Sequence, residues 1–490
     1  MEGSDYTEGE YGLRKVISVL AVFIVLLSQI SYHPAAEVQA ANPAIPATFI
    51  RGADISTLQA VEDHGGKFYD NGVERDLLDI LKDRGVNYIR LRLWNDPREA
   101  DGYNDKAHVI ELAKRVKAKG FKLLLDFHYS DFWADPGKQT KPEAWANLTY
   151  DELKQAVYDY TKEVITELKQ ERALPDMVQI GNEINSGILW PDGKSWGQDN
   201  AFDKLVPLLD SGVQGVKDSL DPDEDVKIMI HLAEGGKNGT FRWFFDELTK
   251  RHLEYDVIGL SYYPYWHGTL DELQYNMNDI SVRYDKQVVV AETAYPHTLD
   301  NGDNHGNIIG LPSQIETGGF PATVQGQAAA VKAVMNAVLQ VPEGKGAGIF
   351  YWEPAWIPVE GAGWKSGEGN AWENQAMFDF QGNALPSLDV FRPAPPAAPE
   401  QLTAEPSGRA AIDLQWTQVE GATGYNVYRA DSKNEEYVRV NESALTEASF
   451  HDSRLNAGRV YYYRVSAVNA GGESERSGAV SVTTNPGKGN

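Results

Sequence analysis

Two glutamates pose the chemical question in this chain. Val178-Gln179-Ile180-Gly181-Asn182-Glu183 is a largely apolar run that stops at an amide and a carboxylate, and Gln287-Val288-Val289-Val290-Ala291-Glu292 ends in the same way. Val178 and Ile180 suit a buried strand, and Gly181 lets the backbone turn or approach another group closely. A carboxylate at the end of a buried strand is costly unless something pairs it or uses it. Two such groups, about 110 residues apart, fit the paired-carboxylate chemistry that cuts glycosidic bonds. Either one alone could equally be a structural carboxylate in a salt bridge. The pair, in its surroundings, favours catalysis.

Those surroundings alternate. After a strand at 48–56, the patterning predicts helices at 73–84, 107–119, 151–171, 201–220, 241–252, 270–283 and 322–339. Between them fall apolar strands at 86–93, 121–127, 177–181, 226–231, 257–260, one ending at Glu292, and one ending at Trp352. Eight strands alternating with helices over roughly 340 residues is the pattern of a closed (β/α)8 TIM barrel, an α/β fold. A doubly wound open sheet would carry a Gly-rich phosphate turn after the first strand, and Arg51-Gly52-Ala53-Asp54 is no such turn. In a barrel the strand C-termini share one face. Asp54, Asn95, Asp126, His128, Asn182, Glu183, His231, Tyr262, Glu292 and Trp352 are therefore expected around one cleft.

Composition narrows the partners. The 490 residues allow two or three domains, and 12 Trp and 24 Tyr supply the flat rings on which sugar faces stack. A net charge of −26 argues against nucleic acid and disfavours a polyanionic substrate, leaving neutral polymers and small molecules. With no cysteine, disulfides and thiolate metal sites are excluded. Arg14-Lys15, an apolar run over 16–30 and Val38-Gln39-Ala40 predict a secretory signal in residues 1–40, behind an acidic N-terminal extension. The run is short for a span, and no later stretch reaches the ~18 apolar residues of one. The mature chain is expected outside the cell, off the membrane and monomeric.

The boundaries follow. The barrel is expected over 47–392. Pro393-Ala394-Pro395-Pro396-Ala397-Ala398-Pro399 is a stiff linker over 393–399. Residues 400–486 change character to short alternating runs such as Gly424-Tyr425-Asn426-Val427-Tyr428-Arg429, the pattern of a small all-β sandwich. Trp416 and the Tyr462/Tyr463 region resemble a fibronectin type III module, read here as a spacer.

Several longer motifs carry a family resemblance. They are Arg51-Gly52-Ala53-Asp54-Ile55-Ser56, Arg90-Leu91-Arg92-Leu93-Trp94, Asp126-Phe127-His128-Tyr129-Ser130-Asp131-Phe132-Trp133-Ala134-Asp135-Pro136, Gly181-Asn182-Glu183, Ala291-Glu292-Thr293 and Tyr351-Trp352-Glu353-Pro354. With these, nearly all of 47–392 resembles the arabinogalactan endo-β-1,4-galactanases of glycoside hydrolase family 53. The aromatic third-strand motif is the most specific; Asn182-Glu183 alone would mark only the wider clan of barrel glycosidases. The resemblance implies a retaining hydrolase with Glu183 as acid/base and Glu292 as nucleophile, acting on the galactan side chains of pectin. Asn182 is expected on the substrate 2-hydroxyl, Trp352 as the floor, and Asp126, His128, Asp131 and Trp133 along the cleft. The nucleophile needs donors, expected from Arg92 or Arg90 and from the Tyr262-Tyr263 pair, with Arg92 and Tyr262 the first choices. Glu353 also ends a strand and is expected to fix a loop instead.

One loop raises the question of a metal. In Thr298-Leu299-Asp300-Asn301-Gly302-Asp303-Asn304-His305-Gly306-Asn307, side-chain oxygens of Asp303 and Asn307 and the carbonyl of His305 can face one point, as calcium accepts. Ser366, in the loop after the eighth strand, is expected to add an oxygen. An Asp/Asn/Gly-rich loop can equally be a set of turns; the resemblance, whose bacterial members carry calcium here, favours the ion. It would be structural, and catalysis would need no cofactor. Two other functions stay open from the residues: the same mechanism on mannan or glucan, and a catalytically silent carbohydrate-binding protein.

Overall fold

The computed structural model describes residues 45–469 and 471–486. The expected signal over 1–40 lies outside them. Eight parallel strands close a barrel: β1 (Ile50–Asp54), β2 (Tyr88–Leu93), β3 (Lys122–Phe127), β4 (Met177–Ile180), β5 (Lys227–Leu232), β6 (Val257–Ser261), β7 (Gln287–Thr293) and β8 (Gly346–Trp352). Sequential strands are neighbours, and β8 closes on β1 with Asp54 opposite Trp352. Around them lie α1 (Leu77–Asp83), α2 (Lys106–Ala118), α3 (Tyr150–Gln170), α4 (Phe202–Lys217), α5 (Asn238–Lys250), α6 (Leu270–Arg283) and α7 (Val324–Leu339). After β8 the ring is completed by a 3-10 turn over Pro386–Phe391 that packs on α7.

The expected helix over 73–84 is shorter. Val73–Arg75 is instead a strand paired with Phe68–Asp70. Asp76 starts the helix by accepting from the Leu78 N–H at 2.8 Å, an N-cap that satisfies one of the free amides of the first turn. The long polar loop after β7 also carries a short helix, Pro312–Gly318.

Period-two alternation fills the barrel in layers. Its lower interior is apolar: Ile50, Tyr88, Leu124, Met177, Met229, Val257, Val289 and Phe350 pack together. Gly52 makes that possible, because a Cβ there would lie 2.2 Å from the Phe350 ring. Two residues further along β2 to β5 the same faces turn polar, with Arg90, Asp126, Gln179 and His231 all buried, and Asp54, four residues past Ile50, joins them. The helices pack around the outside through the large remaining cluster, to which α3 contributes Leu153, Val157, Val164, Ile165 and Leu168.

The C-terminal region has two small sheets. β9 (Thr403–Pro406), β10 (Ala411–Gln415) and β13 (Ser449–Ser453) form one. In the other, β11 (Gly424–Ala430) and β14 (Val460–Asn469) form the centre, β12 (Val438–Arg439) and β15 (Gly472–Glu473) flank them, and β16 (Val480–Thr483) pairs with β14. Trp416, Tyr425, Val427, Tyr463 and Val465 fill the space between as a core of their own. Among the described residues no helix is long and apolar enough to cross a membrane.

Candidate active site

The strand ends open on a cavity of about 270 Å³. Its lining includes His128, Trp133, Asn182, Glu183, Tyr263, Glu292 and Trp352, together with Trp266, Trp364 and Trp372. Both glutamates reach it by irregular backbone. Gly181 and Glu183 follow β4 with φ of 85° and 48°. Left-handed backbone is uncommon for a side chain such as glutamate and marks a site held by its surroundings. On β7 the register slips, so that Leu260 faces Val290 but Ser261 faces Glu292. Ala291 packs in the barrel interior, so simple alternation would turn Glu292 outward. The bulge re-aims it into the cavity, a common use of bulges beside active sites.

Arg90 organises the floor. It is buried, and it pairs with Asp54 at 2.8 Å, Asp126 at 2.8 Å and Glu292 at 2.9 Å. Burial opposes its charge, but the three carboxylates outweigh that and hold it above the usual arginine range. Its guanidinium also donates to the Asn182 Oδ1 at 2.9 Å. The Asn182 Nδ2 donates to the Ala134 carbonyl at 2.9 Å, which leaves its second N–H for a ligand.

The two glutamates differ in surroundings. Burial raises Glu292, and Arg90 opposes that rise. Its second oxygen accepts from the Tyr263 hydroxyl at 3.0 Å. Among the described residues Glu183 has no ion-pair partner of its own. Burial, then the charge of Glu292, push it up to about 8. Of the two, Glu183 therefore stands in the setting that favours a proton, and Glu292, beside Arg90 and Tyr263, in the one that favours the charge. Beneath Glu183, the His231 Nδ1 accepts from the Glu183 backbone N–H at 3.3 Å, and the Nε2 contacts the Ser261 hydroxyl at 2.9 Å. Burial keeps His231 neutral, well below the usual histidine range.

Four residues expected on the cleft stand elsewhere. Arg92 pairs with Glu353 at 2.5 Å, behind the wall, with its guanidinium 4.3 Å from the Trp133 ring centre. Asp126 is fully buried under the floor, where it receives Arg90 and the His128 Nε2 at 3.0 Å. Asp131 accepts the backbone N–H groups of Asp96 and Glu143 at 3.0 and 2.8 Å and so braces two loops. The Tyr262 hydroxyl donates to the Gly268 carbonyl, and it is Tyr263 that reaches Glu292. Glu353 does fix a loop, accepting from the Thr57 hydroxyl at 2.6 Å. Tyr263 shares the parity of inward-facing Ser261, and that alternation was the available signal for it. Gln179, which donates to Asp126 at 2.7 Å, could have been found in the same way.

Tryptophans build one wall. Trp133 stacks on Trp364 with centroids 4.9 Å apart, Trp364 stacks on Trp356 at 5.5 Å, and Trp372 meets the edge of Trp352 at 4.6 Å. Apolar ring faces beside a few fixed polar groups are what a neutral sugar chain requires.

The loop after β7 lies aside from this chemistry. The Asp303 carboxylate accepts the N–H of His305 at 2.6 Å and, across to the next loop, that of Asn370 at 2.7 Å. The Asn307 Oδ1 is buried with no hydrogen-bond partner among the described residues, while the His305 carbonyl accepts from Asn301 at 2.9 Å. An orphaned amide oxygen on the loop that carries the Asp303 carboxylate is a kind of donor that a hard cation accepts. Ser366 fits less well: its N–H is used by the Glu99 carbonyl at 2.8 Å, and no hydrogen bond joins it to Asp303, His305 or Asn307 among the described residues. Among those residues no cluster of three or more His, Asp or Glu side chains is arranged for a metal.

Comparison with known proteins agrees with this geometry. The model of glycosyl hydrolase family 53 matches residues 50–391, and that of the fibronectin type III domain matches 397–483. The solved structure of a family 53 catalytic domain from Ignisphaera aggregans is 50% identical with a TM-score of 0.69, covering 72% of this chain and 97% of that one. An uncharacterized protein of Niallia circulans is 46% identical over 349 residues, 70% of this chain and 93% of its own length. An endo-β-1,4-galactanase of Bacillus subtilis is 39% identical over 380 residues, 70% of this chain and 85% of its own length. With a family model matched along most of its barrel and a closed eight-stranded barrel carrying the fibronectin-like region behind it, the chain belongs to glycosyl hydrolase family 53.

Proposed function

We propose that the protein is a retaining endo-β-1,4-galactanase that acts outside the cell on the galactan side chains of pectin. The observation that carries the reading is the unequal setting of the two carboxylates. Glu292 touches a guanidinium and a phenol; among the described residues Glu183 pairs with no cation, and it is pushed up to about 8. Glu183 then holds the proton that the leaving oxygen needs, and Glu292 the charge that attacks the anomeric carbon. In the second step Glu183 deprotonates a water that releases the sugar. Asn182 offers its free N–H to the 2-hydroxyl, and the tryptophan wall takes the sugar faces. The Bacillus subtilis relative, an endo-β-1,4-galactanase, and a Cellvibrio japonicus relative, an arabinogalactan endo-β-1,4-galactanase 37% identical over 351 residues, favour galactan.

The test pairs substrates with variants. Galactan, mannan and glucan assayed side by side should show reducing sugar released from galactan. Glu183→Ala and Glu292→Ala should both lose nearly all activity on polymer. On an aryl glycoside with an activated leaving group, Glu183→Ala should still form the glycosyl-enzyme and Glu292→Ala should not. Wild-type rates in both variants would refute the assignment; release from mannan or glucan alone would refute the substrate.

Two further readings belong here. The apolar run and small-residue site in 1–40 support export of the chain. The carboxylate of Asp303 and the unpartnered Asn307 oxygen support a structural calcium between the loops after β7 and β8, with carbonyls of His305 and of the Ser366 loop as further oxygens.

A further inference from the structure

Both glutamates line the cavity, and nothing described so far assigns a surface to the part of a glycan chain that would leave it on the Glu183 side. The backbone that follows Glu183 supplies one. It folds at once into a small hairpin, Gly187–Ile188 paired with Gly193–Lys194. The hairpin carries Trp190 and leads into Trp196, a residue that is 51% exposed. A single exposed tryptophan is ordinary by itself; what sets this one apart is that it sits on the segment that follows Glu183 and shares a cation with a second tryptophan.

Trp196 is held. The Lys194 ammonium lies over both rings, 4.7 Å from that of Trp190 and 4.9 Å from that of Trp196. Trp190 is anchored in turn, its indole N–H donating to the Ser186 carbonyl at 2.9 Å. One ammonium between two π faces fixes their spacing and leaves the outer faces for another ligand.

The hairpin is also continuous with the cavity wall. Its Trp190 N–H donates to the Gln139 carbonyl at 2.7 Å, and Lys141 pairs with Asp192 at 2.8 Å. The Gln139 side chain donates to the carbonyls of Asp135, which lines the cavity, and of Asn182, the neighbour of Glu183. The surface thus runs from the acid/base outward without a break in its bracing.

We propose that Trp196, propped by Lys194 and Trp190, is a stacking platform for the leaving-group portion of a neutral β-linked glycan chain, beyond the cavity on the Glu183 side. A proton donor must stand beside the bridging oxygen, so the departing sugars extend past Glu183 towards the residues that follow it. A neutral pyranose chain is the occupant that fits: it offers apolar C–H faces to the ring, and it tolerates both the cation of Lys194 and the overall negative charge of the protein. The inference rests on the galactanase reading above.

The test uses the full chain. Trp196→Ala and Trp196→Phe would be compared with wild type on galactan polymer and on an activated aryl galactoside, whose leaving group is too short to pass the hairpin. Trp196→Ala should raise KM for the polymer about tenfold, equivalent to about 1.4 kcal/mol of lost contact. Its kinetics on the aryl galactoside and its melting temperature should stay unchanged, and Trp196→Phe should recover part of the loss. An unchanged polymer KM in Trp196→Ala, or equal losses on both substrates, would overturn the platform while leaving the galactanase reading intact. Failure of wild type to cut galactan would instead overturn that reading.

Discussion

Replacing Tyr263 by phenylalanine removes one oxygen from the cleft and should narrow the pH range of the enzyme from its acidic side. The hydroxyl donates to the Glu292 Oε2 at 3.0 Å, in a buried site, and Arg90 holds the other oxygen. A hydrogen bond to a charged group contributes about 1.5–3 kcal/mol. One pKa unit corresponds to about 1.36 kcal/mol, so losing this bond should raise the Glu292 pKa by about one to two units. The nucleophile must be ionised, so the acidic limb of kcat/KM should move upward by that amount. The basic limb, set by the loss of the Glu183 proton at about 8, should stay near its place. Well below the acidic limb the rate should fall about 10- to 100-fold, and near the top of the profile far less. The ring remains packed on Trp372 at 5.7 Å, so the melting temperature should hardly change. The measurement is kcat/KM on galactan across pH for wild type and Tyr263→Phe. An acidic limb that does not move would refute the assignment of Glu292 as the charged partner in this pair.

Glu183→Gln should stabilise the fold in alkaline solution, even as it removes activity. The folded carboxyl stays protonated to about 8 whereas the unfolded one ionises near its usual value, so wild-type stability falls as pH rises through that interval; thermal melts at pH 4.5 and 9 should show the variant gaining only at the higher pH, and an equal gain at both would contradict the raised value. Arg92→Met leaves Glu353 buried without its partner and should cost about 3–5 kcal/mol in denaturant titrations, with Arg92→Met/Glu353→Gln recovering most of it. A double variant no more stable than the single one would remove the pair from the account of the wall. Excess chelator should lower the melting temperature, calcium should restore it, and Asp303→Ala should match the chelated protein. No change with chelator, together with no calcium by elemental analysis, would retire the metal proposal.

Much of the fold could be read from local pattern. Apolar strands and amphipathic helices alternate along the chain, and each strand's own period of two decides which residues share a face. That was enough to predict a closed barrel and to place Glu183 and Glu292 at the ends of β4 and β7. Helix boundaries followed less closely where a cap decided them, as Asp76 does for α1. Contact partners depend on relations that sequence does not carry. Arg90 and Arg92 have the same parity on β2, and only the barrel's register sets Arg90 level with Asp54 and leaves Arg92 for Glu353 of β8. Asp131 belongs to the most distinctive aromatic motif, yet the N–H groups that claim it come from Asp96 on the preceding loop and from Glu143, further along its own. Glu292 shows the limit most sharply. Its strand's alternation would point it away from the cleft, and a bulge against β6 turns it inward beside Arg90 and Tyr263. The sequence by itself determined which groups stand at the barrel's open end. Register and bulges, which arise only when distant strands pair, decided which of them face one another and which of the two carboxylates keeps its proton.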